Sequence, residues 1–114
     1  MLCATTAIAL PAQTLTTLHS FEGTDGATPS AGLVEATDGD LYGTTYGGGD
    51  HRLNFGTVFQ ITPSGTLTTL YDFAPSSDNH TPYAGLVQAT NGDLYVTTYA
   101  GGAFGLGTVF RLSP

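Results

Sequence analysis

An internal repeat is the feature that most constrains the fold of this chain. The segment TLTTLHSF at residues 14–21 returns as TLTTLYDF at residues 66–73, about 52 residues later. Two further segments return in the same order: AGLVEATDGDLYGTTYGGG at 31–49 as AGLVQATNGDLYVTTYAGG at 84–102, and GTVFQITP at 56–63 as GTVFRLSP at 107–114. A period near fifty residues is typical of kelch-sized β-propeller blades. The chain is therefore predicted to contain two copies of one structural unit.

Each copy divides into four predicted strands. In the first copy the strands are expected at residues 32–37, 41–46, 57–62 and 67–73. Apolar residues such as Leu33 and Val34 point to both faces of these strands, as expected for propeller blades that are covered on two sides by their neighbours. We predict an all-β fold with two four-stranded antiparallel blades of a β-propeller-like repeat array, in which the two tandem sequence repeats span residues 14–65 and 66–114. A small β-sandwich and an open solenoid remain alternatives.

Turn-forming residues separate the predicted strands. Asp38-Gly39 joins the first two strands, and Asn91-Gly92 takes the same place in the second copy. Both dipeptides tolerate the positive φ angles of a type I′ hairpin turn. A proline and a glycine predict the turn between the third and fourth strands. The predicted structural turn residues are Asp38, Gly39, Asn91, Gly92, Pro63 and Gly65.

The first 13 residues, MLCATTAIALPAQ, combine a short apolar run with small residues before a plausible cleavage point after Ala12. This pattern is typical of the end of a secretory signal peptide, although a positively charged start is missing. We expect residues 1–13 to be a signal-peptide remnant and the protein to be secreted, either extracellular or at the cell surface. An ordinary N-terminal strand is the alternative. Cleavage would remove Cys3, the single cysteine of the chain.

The two copies begin and end out of step with the predicted blades. The predicted strand at residues 14–21 precedes the first blade, whereas the second copy has no fourth strand after residue 114. In offset register, the N-terminal strand could complete the last sheet, as in circular propellers. Two repeats are also fewer than the three or so that such arrays need. We expect a fragment of a longer array, or homo-oligomers that complete a ring.

The repeated phrases DG-x-LYGTT, GG, GTVF-x-IT-P-x-G and LTTLY-x-F, in this order, resemble the GloVer-type tandem repeat of large extracellular bacterial proteins with varying anchors. The resemblance implies an exported, propeller-type, multi-copy repeat protein without an established biochemical activity. It supplies no catalytic residues. The sequence departs from the pattern at residues 50–54 (DHRLN), and Val96 and Ala100 replace the Gly43 and Gly47 of the first copy.

Charge excludes one large class of partners. The chain has a net charge of −7, with Arg52 and Arg111 as its only Lys or Arg residues. Nucleic acids are not expected as partners, because binding phosphates requires clustered cations. Anionic membrane surfaces are disfavoured for the same reason. No segment after the N-terminal stretch is apolar and long enough to predict a membrane span.

The sequence contains no motif that predicts a catalytic or metal-binding site. The three histidines lie at unrelated places, and the carboxylates near Gly39 have no calcium-loop spacing. No G-x-S-x-G elbow or phosphate-binding loop is present. We therefore expect no enzyme activity, cofactor or metal. The alternative is a blade fragment of a secreted propeller enzyme, a lyase or a glycan-active enzyme, for which His51 and Arg52 are the candidate residues.

Tyrosines that recur in both copies are the remaining candidates for ligand binding. Their rings could stack on sugars, although repetition more often indicates packing in a core or interface. The favoured function is a non-catalytic binding, adhesion or structural module, with polysaccharide or cell-surface components as partners. The weak ligand-binding candidates are Tyr42, Tyr46, Tyr95, Tyr99, His51 and Arg52.

Overall fold

The fold was analysed in a computed structural model that describes residues 12–50, 54–74 and 80–114. These residues contain eight β-strands and no helix, which confirms the predicted all-β fold. The strands form two four-stranded antiparallel sheets, consistent with propeller-like blades that are not closed into a ring. The strands are β1 (Val34–Glu35), β2 (Leu41–Thr45), β3 (Thr57–Ile61), β4 (Leu67–Asp72), β5 (His80–Pro82), β6 (Val87–Gln88), β7 (Leu94–Ala100) and β8 (Thr108–Leu112).

The first sheet is a simple meander in the order β1-β2-β3-β4. Its central strands pair Gly43 with Phe59 and Thr44 with Val58, and the β3–β4 ladder shifts register between Val58 and Phe59. Because these strands are rich in Thr, Val, Tyr and Phe, their side chains suit a pleated surface with both faces covered. The observed β2, β3 and β4 each end one residue before the predicted boundary.

The second sheet is built differently on one side. Strands β6 and β5 both pair with β7, as Val87 pairs with Tyr95 and Pro82 with Thr98, so they divide one edge between them. Strand β8 pairs with the other edge of β7. The three-residue β5 was not predicted, because a short segment with a proline is a weak strand signal. Its counterpart in the first copy is the isolated bridge between Ala27 and Gly47.

Three hairpins share the same three-residue loop. In the first, the backbone N–H of Gly39 donates to the carbonyl of Ala36, and Gly39 has a φ of 86°. Asp38 is not among the residues with positive φ, and its Oδ1 accepts the N–H of Asp40. The predicted type I′ turn is therefore wrong. The loop is a turn with one left-handed glycine, because the aspartate is held by its own side-chain hydrogen bond. The matching glycines have φ angles of 101° at Gly65 and 89° at Gly92.

The main core lies between the two sheets, which face each other as stacked blades do. Phe73, directly after β4, is fully buried and its ring centroid lies 5.3 Å from that of Phe110 in β8. The first sheet contributes Tyr42 and Val58 from the face turned toward the second sheet. The buried members of this core are Ala36, Tyr42, Val58, Phe73, Leu86, Leu94 and Val96. Covering each sheet therefore requires a neighbouring unit, since the core is shared between the copies.

Residues 14–21 do not form the strand that was predicted for them, and they do not complete the second sheet. They are largely exposed, and Phe21 packs on Phe59 with ring centroids 5.2 Å apart. Since Val58 and Phe59 are adjacent in a strand, Phe21 lies on the face of the first sheet opposite the core. By the repeat, Phe21 corresponds to Phe73 and Phe59 to Phe110, so this contact reproduces the one made after β4. Residues 14–21 thus occupy the place of a preceding unit's last strand, and they pair with no strand among the described residues.

Each sheet also contains a threonine pair at the end of its central hairpin. In the first sheet the hydroxyl oxygens of Thr45 and Thr57 lie 2.9 Å apart, and the backbone N–H of Thr57 donates to Thr45 Oγ1. Thr98 and Thr108 make the same contacts in the second sheet. These hydrogen bonds satisfy buried polar groups where the ladder ends.

Candidate ligand-binding site

Three tyrosines form an exposed aromatic cluster at the junction of the two copies. The ring centroid of Tyr83 lies 5.9 Å from that of Tyr46 and 6.2 Å from that of Tyr99. The three residues line an open cavity of about 300 Å³. Their exposed fractions are 43% for Tyr46, 65% for Tyr83 and 74% for Tyr99. The cluster therefore presents aromatic rings and phenol hydroxyls to solvent.

The backbone of both copies positions the cluster. Tyr46 follows β2, and its N–H donates to the carbonyl of Thr28. Tyr83 follows β5, and the next residue, Ala84, accepts a hydrogen bond of 3.1 Å from Thr44 Oγ1 of the first sheet. This bond ties the segment that carries Tyr83 to the other copy. Tyr99 lies within β7.

The segments before the cluster contain two strained residues at matching positions. Thr28 has a φ of 56° and Thr81 has a φ of 46°. A β-branched residue with positive φ is a backbone outlier, and such residues concentrate at sites whose geometry is over-determined. The proline after Thr81, Pro82, is fully buried. The strained turn and buried proline hold Tyr83 at the surface immediately after them.

Tyr42, one of the predicted candidates, does not reach the surface. Its side chain is 1% exposed, and its hydroxyl donates a 2.6 Å hydrogen bond to Asp38 Oδ2. Burial, this hydrogen bond and the negative charges of Asp38 and Asp40 raise the pKa of Tyr42 to about 12. The hydrogen bonds from Tyr42 and from the N–H of Asp40 lower the pKa of Asp38. Tyr42 is therefore a packing residue that is tied to the first hairpin turn.

The other candidates lie in different places. Tyr46 and Tyr99 are brought together through Tyr83, whereas Tyr95 is half-buried on the outer side of β7 and does not line the cavity. His51 and Arg52 lie outside the described residues. Tyr83 was not predicted, because its counterpart in the first copy is Ser30 and a comparison of repeats selects only residues that recur. Because β5 was not predicted, nothing in the sequence indicated that Tyr83 follows a strand.

The cluster offers stacking and hydrogen bonding rather than acid–base chemistry. His19 Nε2 and Asp25 Oδ2 are 2.6 Å apart, but His19 lines a separate apolar cavity beside Phe21. Burial tends to raise the pKa of Asp25, but hydrogen bonds from the N–H of Glu22 and from His19 outweigh it, and the pKa is lowered. Asp25 is thus held as a carboxylate by local contacts that stabilise the turn closed by the bridge between Gly23 and Gly26.

Within residues 12–50, 54–74 and 80–114, no three His, Cys, Asp or Glu side chains come together in a way that would hold a metal ion. In the same residues, no helix has the length and apolar character needed to cross a membrane.

Comparison with known families decides the classification. The sequence matches the model of the Gloeobacter/Verrucomicrobia repeat over residues 5–114. The chain belongs to this repeat family. The match confirms the resemblance to GloVer-type repeats and includes both copies. Comparisons with curated proteins and with solved structures give no match. The name of the Gloeobacter/Verrucomicrobia repeat specifies no ligand, so the tyrosine cluster carries the functional argument.

Proposed function

We propose that this chain is a non-catalytic extracellular binding module, and that its cluster of Tyr46, Tyr83 and Tyr99 binds a neutral polysaccharide. The observation that carries the proposal is the cluster itself. Three large aromatic side chains remain exposed around one cavity, although burying them would be favourable. Exposed aromatic groups that persist in this way mark interaction surfaces.

The geometry of the cluster fits a sugar ring better than a compact polar metabolite. Aromatic rings contribute apolar area for the C–H face of a pyranose, and phenol hydroxyls supply hydrogen bonds at its rim. The cavity of about 300 Å³ is at the lower end of the range for small-ligand sites, and it is open to solvent. An open, shallow site accommodates one part of a long chain that continues beyond it.

Charge supports a neutral ligand. The chain carries a net charge of −7, so anionic glycans would be repelled at low ionic strength. No acid–base pair lines the cavity among the described residues, which is in keeping with binding without turnover. Export is supported by the small and apolar residues of the first 13 positions.

Glycan binding can be tested with Tyr83→Ala and Tyr99→Ala variants. The chain is screened against neutral and anionic polysaccharides, and binding of the best ligand is then measured by calorimetry. We expect selective binding to a neutral polysaccharide and at least a tenfold loss of affinity in each variant. Phe104→Ala is the matched control, since Phe104 is 88% exposed and does not line the cavity.

Two results would contradict the proposal. One is uniformly absent binding by a folded chain, as judged by circular dichroism. The other is an equal loss of affinity in the Phe104→Ala control and the tyrosine variants, which would show that exposed aromatic area in general causes binding.

A further inference from the structure

The side of the second sheet that faces away from the core exposes valine and tyrosine side chains beside one charged residue, Arg111. We call it the outer face, and it comprises residues of β6, β7 and β8 that share one side in the observed register. Val87 is 64% exposed and Val109 is 73% exposed. The outer-face residues are Val87, Tyr95, Thr97, Tyr99, Val109 and Arg111, which pairs with Tyr95.

Apart from Tyr46, the counterparts of the outer face in the first repeat are buried or partly buried. Val58, the counterpart of Val109, is completely buried, and Tyr42, the counterpart of Tyr95, is 1% exposed. The second sheet covers both residues within the shared core. The same surface therefore exists twice in the chain, once with its partner and once without.

The partner surface is also present twice. On the first sheet, the face opposite the core contains an open apolar cavity of about 230 Å³, which we call the head cavity. Six of its lining residues are Leu18, Phe21, Pro29, Leu33, Phe59 and Ile61. Their counterparts in the second copy lie in or against the core, with Pro82 among the fully buried residues: Leu70, Phe73, Pro82, Leu86, Phe110 and Leu112.

We propose that separate molecules of this chain associate head to tail, with the outer face of one molecule docked on the head cavity of the next. The chain already contains this interface between its two repeats, and among the described residues the head cavity and the outer face are its unpaired halves. The occupant is a second molecule of this chain. Its head cavity presents the counterparts of the residues that cover Val58 and Tyr42 in the shared core. Such a heterologous contact builds rings or open filaments, depending on the rotation between copies.

The same relation predicts which backbone atoms pair. Strand β8 pairs only with β7 among the described residues, whereas its counterpart β3 also pairs with β4. The β3–β4 ladder aligns Ile61 with Leu67 and Gln60 with Thr68. Residues 14–21 repeat the sequence of β4 and its flanks, and are largely exposed. They can therefore pair with β8 of another molecule and add a strand to its second sheet, as β4 does beside β3.

Translating the ladder by the repeat gives a specific register. Leu15 of one copy is placed opposite Leu112 of the other, and Thr16 is placed opposite Arg111. Leu15 is 99% exposed in the single chain, and pairing would bring it beside an apolar partner. Residues 14–21 would then pair with the other chain, while Phe21 keeps its contact with Phe59 of its own chain. Phe73, which follows β4, contacts Phe110 of the second sheet in the same way.

Two properties follow from this arrangement. Each chain carries a net charge of −7, so association between chains is expected to strengthen as salt screens their repulsion. Tyr99 belongs to both the outer face and the tyrosine cluster, so docking is expected to reduce its 74% exposure and to cover part of the cluster. Val109 does not line the cavity of the cluster, so Val109→Asp tests the association separately from glycan binding.

Sizing by sedimentation and light scattering tests the contact. We expect the 114-residue chain to assemble as concentration and salt increase, and Val109→Asp to weaken association at least tenfold. Phe104→Asp is the control, since Phe104 is 88% exposed in the loop before β8 rather than on the outer face. A chain that stays monomeric up to high concentration, or an equal effect of both substitutions, would overturn the proposal.

Disulfide trapping tests the register. In a Cys3→Ser background, a Thr16→Cys chain is mixed with an Arg111→Cys chain under mild oxidation. Directly opposed residues in antiparallel strands are close enough for a cross-link, whereas a one-residue shift moves the side chain to the other face. We expect efficient linkage for Thr16→Cys and little for Thr17→Cys with the same partner. Equal yields from the two mixtures would exclude this pairing.

Discussion

The two copies have closely similar sequences and nearly the same strands, yet corresponding residues lie in opposite environments. Val58 is fully buried and Val109 is 73% exposed, although GTVF surrounds both. The difference arises because the second sheet covers one face of the first, whereas nothing among the described residues covers the outer face of the second. In a repeat protein, burial is decided by the neighbouring unit rather than by the local sequence.

A second contrast concerns the middle of the central strands. A Cβ atom on Gly43 would lie 2.6 Å from the ring of Phe59 and 2.7 Å from the side chain of Leu33. In the second copy the same position is Val96, which is 2% exposed within the shared core. The two copies thus fill the same space with different atoms, an aromatic ring in one and a branched side chain in the other.

The largest expected effect comes from placing a charge at the paired valines. Val58→Asp would bury an unpaired carboxylate, so we expect the loss of cooperative folding. Val109→Asp lies on an exposed surface and should change the free energy of unfolding by no more than about 0.5 kcal/mol in dilute monomer. Thermal and urea denaturation followed by circular dichroism would measure both. Equal destabilisation would show that the outer face is covered within the single chain.

An intermediate effect is expected from Val96→Gly. The substitution removes buried apolar volume and adds backbone freedom to a strand, so it should reduce the free energy of unfolding by roughly 2–4 kcal/mol. Gly43→Val is the reciprocal change, and crowding against Phe59 should cost about 1–3 kcal/mol. Urea denaturation of both variants would measure the costs. A harmless Gly43→Val would show that the ring of Phe59 moves aside easily.

A smaller effect, confined to alkaline pH, is expected from Tyr42. Its pKa is raised to about 12 in the folded chain, so the unfolded chain loses this proton first as pH rises above 10. The stabilising contribution is complete below pH 10 and is lost between pH 10 and 12, amounting to roughly 2–3 kcal/mol. Urea denaturation across this range should show a steeper loss in the parent than in Tyr42→Phe.

Tyr95→Phe is the matched control for the alkaline titration. Tyr95 is half-buried, and the turn position equivalent to Asp38 holds the uncharged Asn91. This variant should retain the alkaline loss of the parent. A loss that disappears equally in both variants would assign the effect to tyrosine ionisation in general rather than to the Tyr42–Asp38 contact.

Much of the fold could be predicted because the repeat and the turn residues are local signals. Hairpin loops lie at Gly39, Gly65 and Gly92, where turn residues stand in the sequence, whereas the turn type depends on a side-chain hydrogen bond of Asp38. Residues 14–21 resemble β4 in sequence but lack its partner strand, so the pattern alone predicted a strand that does not form. Strand formation there depends on an available sheet edge, which the sequence of one segment cannot report.

The candidate site was predictable only in part. Tyr46 and Tyr99 recur in both copies, and the comparison of copies therefore selected them along with Tyr42 and Tyr95. Whether a recurring tyrosine reaches the surface depends on how the sheets stack. Tyr46 is exposed, whereas Tyr42 is buried. Tyr83 joins the cluster through the packing of β5, a contact between copies that has no repeated sequence signal.

The shared three-residue loops have a consequence for the order of folding. Each brings two strands together across very few intervening residues, and hairpins with such short closures form on the microsecond timescale. The two sheets meet through contacts such as that between Phe73 and Phe110, which are distant in sequence. The hairpins should therefore form early and separately, and the docking of the sheets should limit the folding rate. Substitutions in the shared core would then slow folding more than substitutions in the loops do.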